Sequence, residues 1–78
     1  MISGKKLAEL RNKYPAGTRV RLVKMDDIQA PPIGTCGTVT GVDDTGSLLV
    51  HWDRGSSLNV IYGEDVVEIE KKAEVNIK

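Results

Sequence analysis

The chain has 78 residues, with 11 basic and 11 acidic groups, one cysteine, one tryptophan and no phenylalanine. That length allows one small domain with a thin core, and a single cysteine excludes an intrachain disulfide and fits a reducing cytoplasm. No apolar run approaches the roughly 20 residues of a membrane span, and the start of the chain lacks the apolar stretch of a secretion signal, so a cytoplasmic protein is expected.

The zero net charge is unevenly spread. Residues 1–24 hold seven basic groups against the single acid Glu9, a net of +6, and residues 25–78 hold four basic groups against ten acids, a net of −6. A basic segment of this kind can track a polyanion. It can equally lie across from the acidic remainder once the chain folds.

In chain order, residues 3–13 read as a helix. Ser3 is a suitable N-cap, Leu7, Leu10 and Tyr14 share one stripe, and Pro15 disfavours helical geometry at Tyr14. A helix this short needs a surface to dock on. Thr18 to Lys24 alternates, with Val20 and Leu22 inward and Arg19, Arg21 and Val23 outward, as in a half-buried strand. Met25 to Cys36 has no clean period and contains Pro31-Pro32, so it reads as a long loop with polyproline character near the prolines. Loops of about a dozen residues often carry function.

Gly37 to Ile61 reads as a three-stranded meander. Val39 and Val42 lie in its first run, Leu48, Val50 and Trp52 in its second, and Leu58 and Val60 in its third. Asp43-Asp44-Thr45-Gly46 and Asp53-Arg54-Gly55 form the turns. Gly37 and Gly41 mark bends within the first run. Tyr62-Gly63-Glu64-Asp65 is a further turn, and Val66 to Ile69 is a last strand with Val67 and Ile69 inward. The expected core is Val20, Leu22, Val39, Leu48, Val50, Trp52, Leu58, Val60, Val67 and Ile69. Residues 70–78 read as a polar tail that frays, with Val75 and Ile77 spaced for an edge strand as the alternative.

The fold class expected is therefore mainly β: a small SH3-like five-stranded barrel over residues 14–69, preceded by an N-terminal α-helix over 1–13. An OB-like barrel is the runner-up, but five strands fall within too short a stretch for it.

Particular motifs carry a resemblance. They are Pro15-Ala16-Gly17-Thr18-Arg19-Val20, Met25-Asp26-Asp27, Pro32-Ile33-Gly34-Thr35, Gly37-Thr38-Val39 and Trp52-Asp53-Arg54-Gly55-Ser56. Over residues 14–69 the chain resembles a family of short bacterial proteins known only as a domain of unknown function, typical of phages and conjugative elements of Gram-positive bacteria. More distantly it is similar to mind-bomb-type domains of ubiquitin ligases, SH3-like barrels that bind peptides. The resemblance implies the barrel fold. It implies no activity and no catalytic residue.

The residues themselves point the same way. His51 is the only histidine and sits between two inward residues, so it faces solvent without the convergent partners that a triad or metal cluster needs. Cys36 has no basic neighbour in sequence to activate it. Asp26-Asp27, Asp43-Asp44 and Glu64-Asp65 lack the ligand spacing of a calcium loop, and Asp43 and Asp53 are better placed to accept from turn N–H groups. No cofactor, metal or catalytic set is expected, and the protein is read as a non-enzyme.

Binding remains. The contact surface expected is the rim formed by Met25, Asp26, Asp27, Ile28 and Gln29 with Asp53 and Tyr62. Met and aromatics supply area there, and the acids select basic or amide-rich partners. Met25 and Ile28 could instead plug the end of the core. A protein partner is the first expectation. The alternative is a nucleic acid or nucleotide held by Lys5, Lys6, Arg11, Arg19, Arg21 and Lys24, which extends to a counter-measure against host defence that blocks a CRISPR nuclease or sequesters a signalling nucleotide. A homodimer through the helix or an edge strand is left open.

Overall fold

The computed structural model describes residues 2–70. The expected reading of the tail, beyond Glu70, lies outside them. Helix α1 spans Gly4–Lys13, and strands β1 Arg19–Lys24, β2 Cys36–Val42, β3 Leu48–Trp52 and β4 Val66–Ile69 follow. The strands form one antiparallel sheet in the order β3-β2-β1-β4. The protein is thus mainly β: a helix beside a four-stranded sheet that does not close into a barrel.

The helix begins and ends where its chemistry requires. The Ser3 hydroxyl accepts from the Lys6 N–H at 3.1 Å, and the Tyr14 N–H still reaches the Leu10 carbonyl before Pro15 stops the run. Its docking is lighter than the stripe predicted. No residue of α1 is buried; Leu10 packs on the core, whereas Leu7 is only half-buried and outside it. Tyr14, just past the helix end, carries the contact and is buried.

The period-2 reading holds through β1 and β3. Val20 and Leu22 from β1, Val39 from β2, and Leu48, Val50 and Trp52 from β3 are buried, with Trp52 fully enclosed. Gly37 stands opposite Trp52 in the β2–β3 register. A Cβ there would lie 2.8 Å from the Trp52 ring and 2.7 Å from Val50 Cγ1, so the glycine is the space into which the indole packs. The bend expected at Gly41 is present as a register shift between Val39 and Gly41.

Of the five strands expected, the one through Leu58 and Val60 does not form among the described residues, and the reason is local. Leu48 and Val60 exchange backbone bonds of 2.8 and 2.9 Å, and the Trp52 N–H donates to the Ser56 carbonyl at 2.8 Å. Those two contacts set an antiparallel register that would bring Leu58 opposite Val50. The Leu58 carbonyl instead accepts from the Trp52 indole at 2.8 Å. Residues 56–60 therefore run beside β3, joined at two ends and bowed between, and only the Leu48–Val60 bridge forms. Val60 is buried, but Leu58 is only half-buried. On edge strand β4, Ile69 lies opposite Val20 on the inner face yet stays 42% exposed, and Val67 is half-buried, which corrects the expectation that both join the core fully.

Candidate functional site

The basic residues of the N-terminal segment come first, because their partners decide what they are free to do. Arg19 lies on the outer face of β1 and is the hub of that face. Its guanidinium makes a two-pronged contact with Asp53, at 2.8 and 2.6 Å, while also donating to Thr38 Oγ1 at 3.0 Å and Glu70 Oε1 at 3.3 Å. Planar two-point pairing of this kind is the strong form of a surface ion pair. The Asp53 carboxyl is held below its ordinary range by that guanidinium, and the Arg19 pKa is raised in turn. Arg21 reaches Glu68 at 3.3 Å, Arg11 bonds Asp44 at 3.0 Å and the Val42 carbonyl, and Lys6 lies 3.5 Å from Glu9. Four of the six polyanion candidates are thus paired with acids. Lys5 and Lys24 make no ion pair among the described residues.

Asp53 is therefore not the turn-capping residue the sequence suggested. Its turn closes through the Gly55 N–H and the Trp52 carbonyl, and its side chain crosses to β1. Asp43 does behave as expected. Its Oδ1 accepts from the Thr45 hydroxyl at 2.7 Å, the Ser47 N–H at 2.9 Å and the Thr45 N–H at 3.0 Å, which hold its carboxyl below the usual range.

The rim loop divides. Met25 is buried in the core, while Ile28 stands 98% exposed at the tip. The Asp27 carboxylate accepts from the Gln29 N–H at 2.7 Å and the Ala30 N–H reaches the Asp27 carbonyl, a tight turn that throws Ile28 outward. Further on, Pro31 is buried and Ala30 packs on the core. The Gly34 N–H and Thr35 carbonyl then pair with Leu22, so the loop is fixed at both ends.

Across from it, residues 57–65 lead into β4. Their turn is closed by Asp65, whose carboxylate accepts from the Ile61 N–H at 2.8 Å while its own N–H reaches the Ile61 carbonyl. Between the two segments lies a shallow cleft of about 280 Å³. Met25, Leu58 and Ile61 supply its apolar surface; Asp26, Asp27, Glu64 and Asp65 supply all its charge.

The structure thus brings together Met25, Asp26 and Asp27 and adds Leu58, Ile61, Glu64 and Asp65, which the sequence reading left out of the site. The signal is present as the acid pair Glu64-Asp65, but nothing in a linear reading joins residue 26 to residue 64. Ile28 and Gln29 stand outside the cleft lining. Tyr62 lies elsewhere, on a more apolar groove of about 420 Å³ beneath α1, whose floor includes Leu10, Leu48, Val60 and Val67. Lys6 sits over its ring at 5.7 Å.

Cys36 is a free, half-buried thiol, pushed up first by burial and then by the nearby Glu70 charge, so it favours the unreactive protonated form. His51 is exposed on β3. Among the described residues no three His, Cys, Asp or Glu side chains are grouped to hold a metal ion, and no helix is long and apolar enough to cross a membrane.

An open four-stranded sheet with a docked N-terminal helix, carrying a loop cleft, defines a small mainly β domain. The chain belongs to the family described as a domain of unknown function, DUF4314, whose model matches residues 3–70. The match takes in α1, which the motif resemblance over 14–69 had placed outside the family unit. No curated protein and no solved structure matches the chain.

Proposed function

We propose that this protein is a non-enzymatic binding module whose partner is another protein, engaged at the cleft between the Met25–Gln29 loop and the turn before β4. The observation that carries this reading is the composition of that cleft. It has apolar surface at its floor, only carboxylates for charge, and walls held by backbone hydrogen bonds. Small domains place contact surfaces on loops fixed by a rigid scaffold, and such contacts work through buried area and a few polar bonds. An SH3-like ancestry, phage or mobile-element origin and a cytoplasmic setting accord with the motif resemblance and belong to the same reading.

The nucleic-acid alternative is weakened by the arginine pairing. A phosphate approaching Arg19 would have to displace Asp53 and Glu70, and one approaching Arg21 would have to displace Glu68. Exposed aromatics for base stacking are also scarce, with Trp52 fully buried.

The test is affinity capture from host lysate with three forms of the domain. Asp26→Lys with Glu64→Lys takes the charge of the four-carboxylate cleft to zero without touching the buried Met25. Lys5→Glu with Lys24→Glu lowers the net charge of residues 1–24 from +6 to +2 without breaking an ion pair seen among the described residues. Loss of a specific captured protein with the first variant and retention with the second is the expected result. Loss with the second, together with steeply salt-dependent binding of DNA or RNA by the parent, moves the function to polyanions.

A further inference from the structure

Resting on that reading of the cleft, we infer that its occupant is an extended protein segment in which one aliphatic residue is flanked by lysine or arginine. The inference starts from the floor. Met25 is 8% exposed, whereas Ile61 is 46% exposed, so the apolar surface there is rooted in the core and yet left open. A shallow hollow of about 280 Å³ takes one side chain and the backbone beside it, not a helix face.

The rim then fixes the charge of what flanks that side chain. Apart from Asp43, whose carboxylate is taken up by its own turn, the acids along the sheet have cations against them: Asp53 and Glu70 have Arg19, Glu68 has Arg21, and Asp44 has Arg11. Asp26, Asp27, Glu64 and Asp65 have none among the described residues, and no lysine or arginine lines the cleft. Two of the four are tied to their own turns, Asp27 to Gln29 and Asp65 to Ile61, so they are held in place before any partner arrives. The Asp26 and Glu64 carboxylates accept no hydrogen bond among the described residues and remain available, although the Glu64 N–H is tied to the Ile61 carbonyl at 3.1 Å. A cation on each side of an aliphatic anchor complements this arrangement; an acidic or purely polar segment does not.

The probes are three fluorescein-labelled peptides that differ only at a central triplet: Lys-Leu-Lys, Lys-Ser-Lys and Glu-Leu-Glu. Fluorescence anisotropy against the full chain should rank Lys-Leu-Lys first. Loss of the leucine should weaken binding by about tenfold, the range for removing one aliphatic group from a pocket. The Glu-Leu-Glu peptide should show no binding. The double variant Asp26→Asn, Glu64→Gln should weaken the Lys-Leu-Lys peptide by a few-fold to about tenfold, as two exposed ion pairs would. Equal binding of Lys-Leu-Lys and Lys-Ser-Lys overturns the inference, because the acids would then be attracting any cation. Equal binding of Lys-Leu-Lys and Glu-Leu-Glu overturns it as well. Absence of peptide binding alongside Asp26- and Glu64-dependent capture of a host protein removes the segment chemistry and leaves the binding function standing. Absence of both removes the function too.

Discussion

The outer face of β1 and the cleft beyond its end are built from the same kinds of residue, and they differ in whether the charges are answered. On the outer face, Arg19 is bonded to Asp53, Glu70 and Thr38, and Arg21 to Glu68, so charges that lie far apart in sequence cancel across the sheet. In the cleft four carboxylates stand together and no cation faces them among the described residues. Cross-strand ion pairs hold a sheet together modestly and leave little charge for a partner. Unanswered charge beside apolar surface is the arrangement that leaves recognition to be completed from outside. The +6 segment that drew attention in the sequence is thus mostly internal bracing, and the quieter acid pairs line the surface that is open.

Both regions hang on one core, so the change that breaks the comparison most completely is Trp52→Ala. Trp52 is fully buried, its indole closes the Leu58 carbonyl, and its backbone N–H holds Ser56. Large-to-small core changes of this type cost about 3–5 kcal/mol, much of the stability of a domain this small. Denaturant melts should show it, and peptide binding should vanish with the fold. An unchanged melting midpoint would mean that the indole does not organise residues 56–60. Next comes Gly37→Ala, which forces a methyl to within 2.8 Å of the Trp52 ring. Overpacking costs about 1–3 kcal/mol, so the same melts should show a smaller drop. Equal stability of parent and variant would show that β2 and β3 can part at that pair without penalty.

How much of this could be read from the sequence follows the same divide. The spacing of Leu48, Val50 and Trp52 specified a strand and its buried face, because a period of two has only one buried solution when one face is wet. Ser3 and Pro15 bounded the helix because capping and ring geometry act locally. The barrel failed at residues 56–60 because a side chain, the Trp52 indole, competes there for a carbonyl that a ladder would use. Nothing in the spacing of Leu58 and Val60 records that competition. Met25 and Ile28 looked alike as apolar loop residues, yet one is core and the other a tip; the Asp27–Gln29 turn between them decides it. Asp53 was read as a turn residue because its neighbours are turn residues, and its partner is 34 positions away. Local chemistry was legible. Pairings across the sheet were not.

Acid should separate braced carboxylates from the rest. Asp43, held first by the Thr45 hydroxyl, and Asp53, held first by Arg19, both have folded-state pKa values below 3.8, their ordinary value. Groups depressed on folding contribute stability that is complete above the unfolded value and drains as the pH falls through the folded one. Asp43→Asn and Asp53→Asn should therefore melt below the parent at pH 6, and the gap should narrow as the pH falls below 3.8, through the lowered folded-state values. A gap that does not narrow at all as the solution is acidified would mean that the carboxylate charge is not what these residues contribute.

The smallest effect is the one that discriminates best. Asp26→Asn with Glu64→Gln removes two charges from the cleft while keeping the size of each side chain. Neither group has a bond to lose among the described residues, and the neighbours they leave behind are the like-charged Asp27 and Asp65. Stability should stay within about 0.5 kcal/mol of the parent, as for surface changes away from a structural feature, with any shift toward greater stability. Arg19→Gln, one charge on the other face, should lower the melting temperature, because it strands Asp53 and Glu70 together. The measurement is a pair of thermal melts at low and at high salt. Added salt should narrow the Arg19→Gln deficit, since screening weakens both the lost attraction and the leftover repulsion, and should remove any small gain of the cleft variant for the same reason. If the cleft variant instead melts as low as Arg19→Gln, then Asp26 and Glu64 are braces like the others. The cleft would then lose its claim to be the surface left open for a partner.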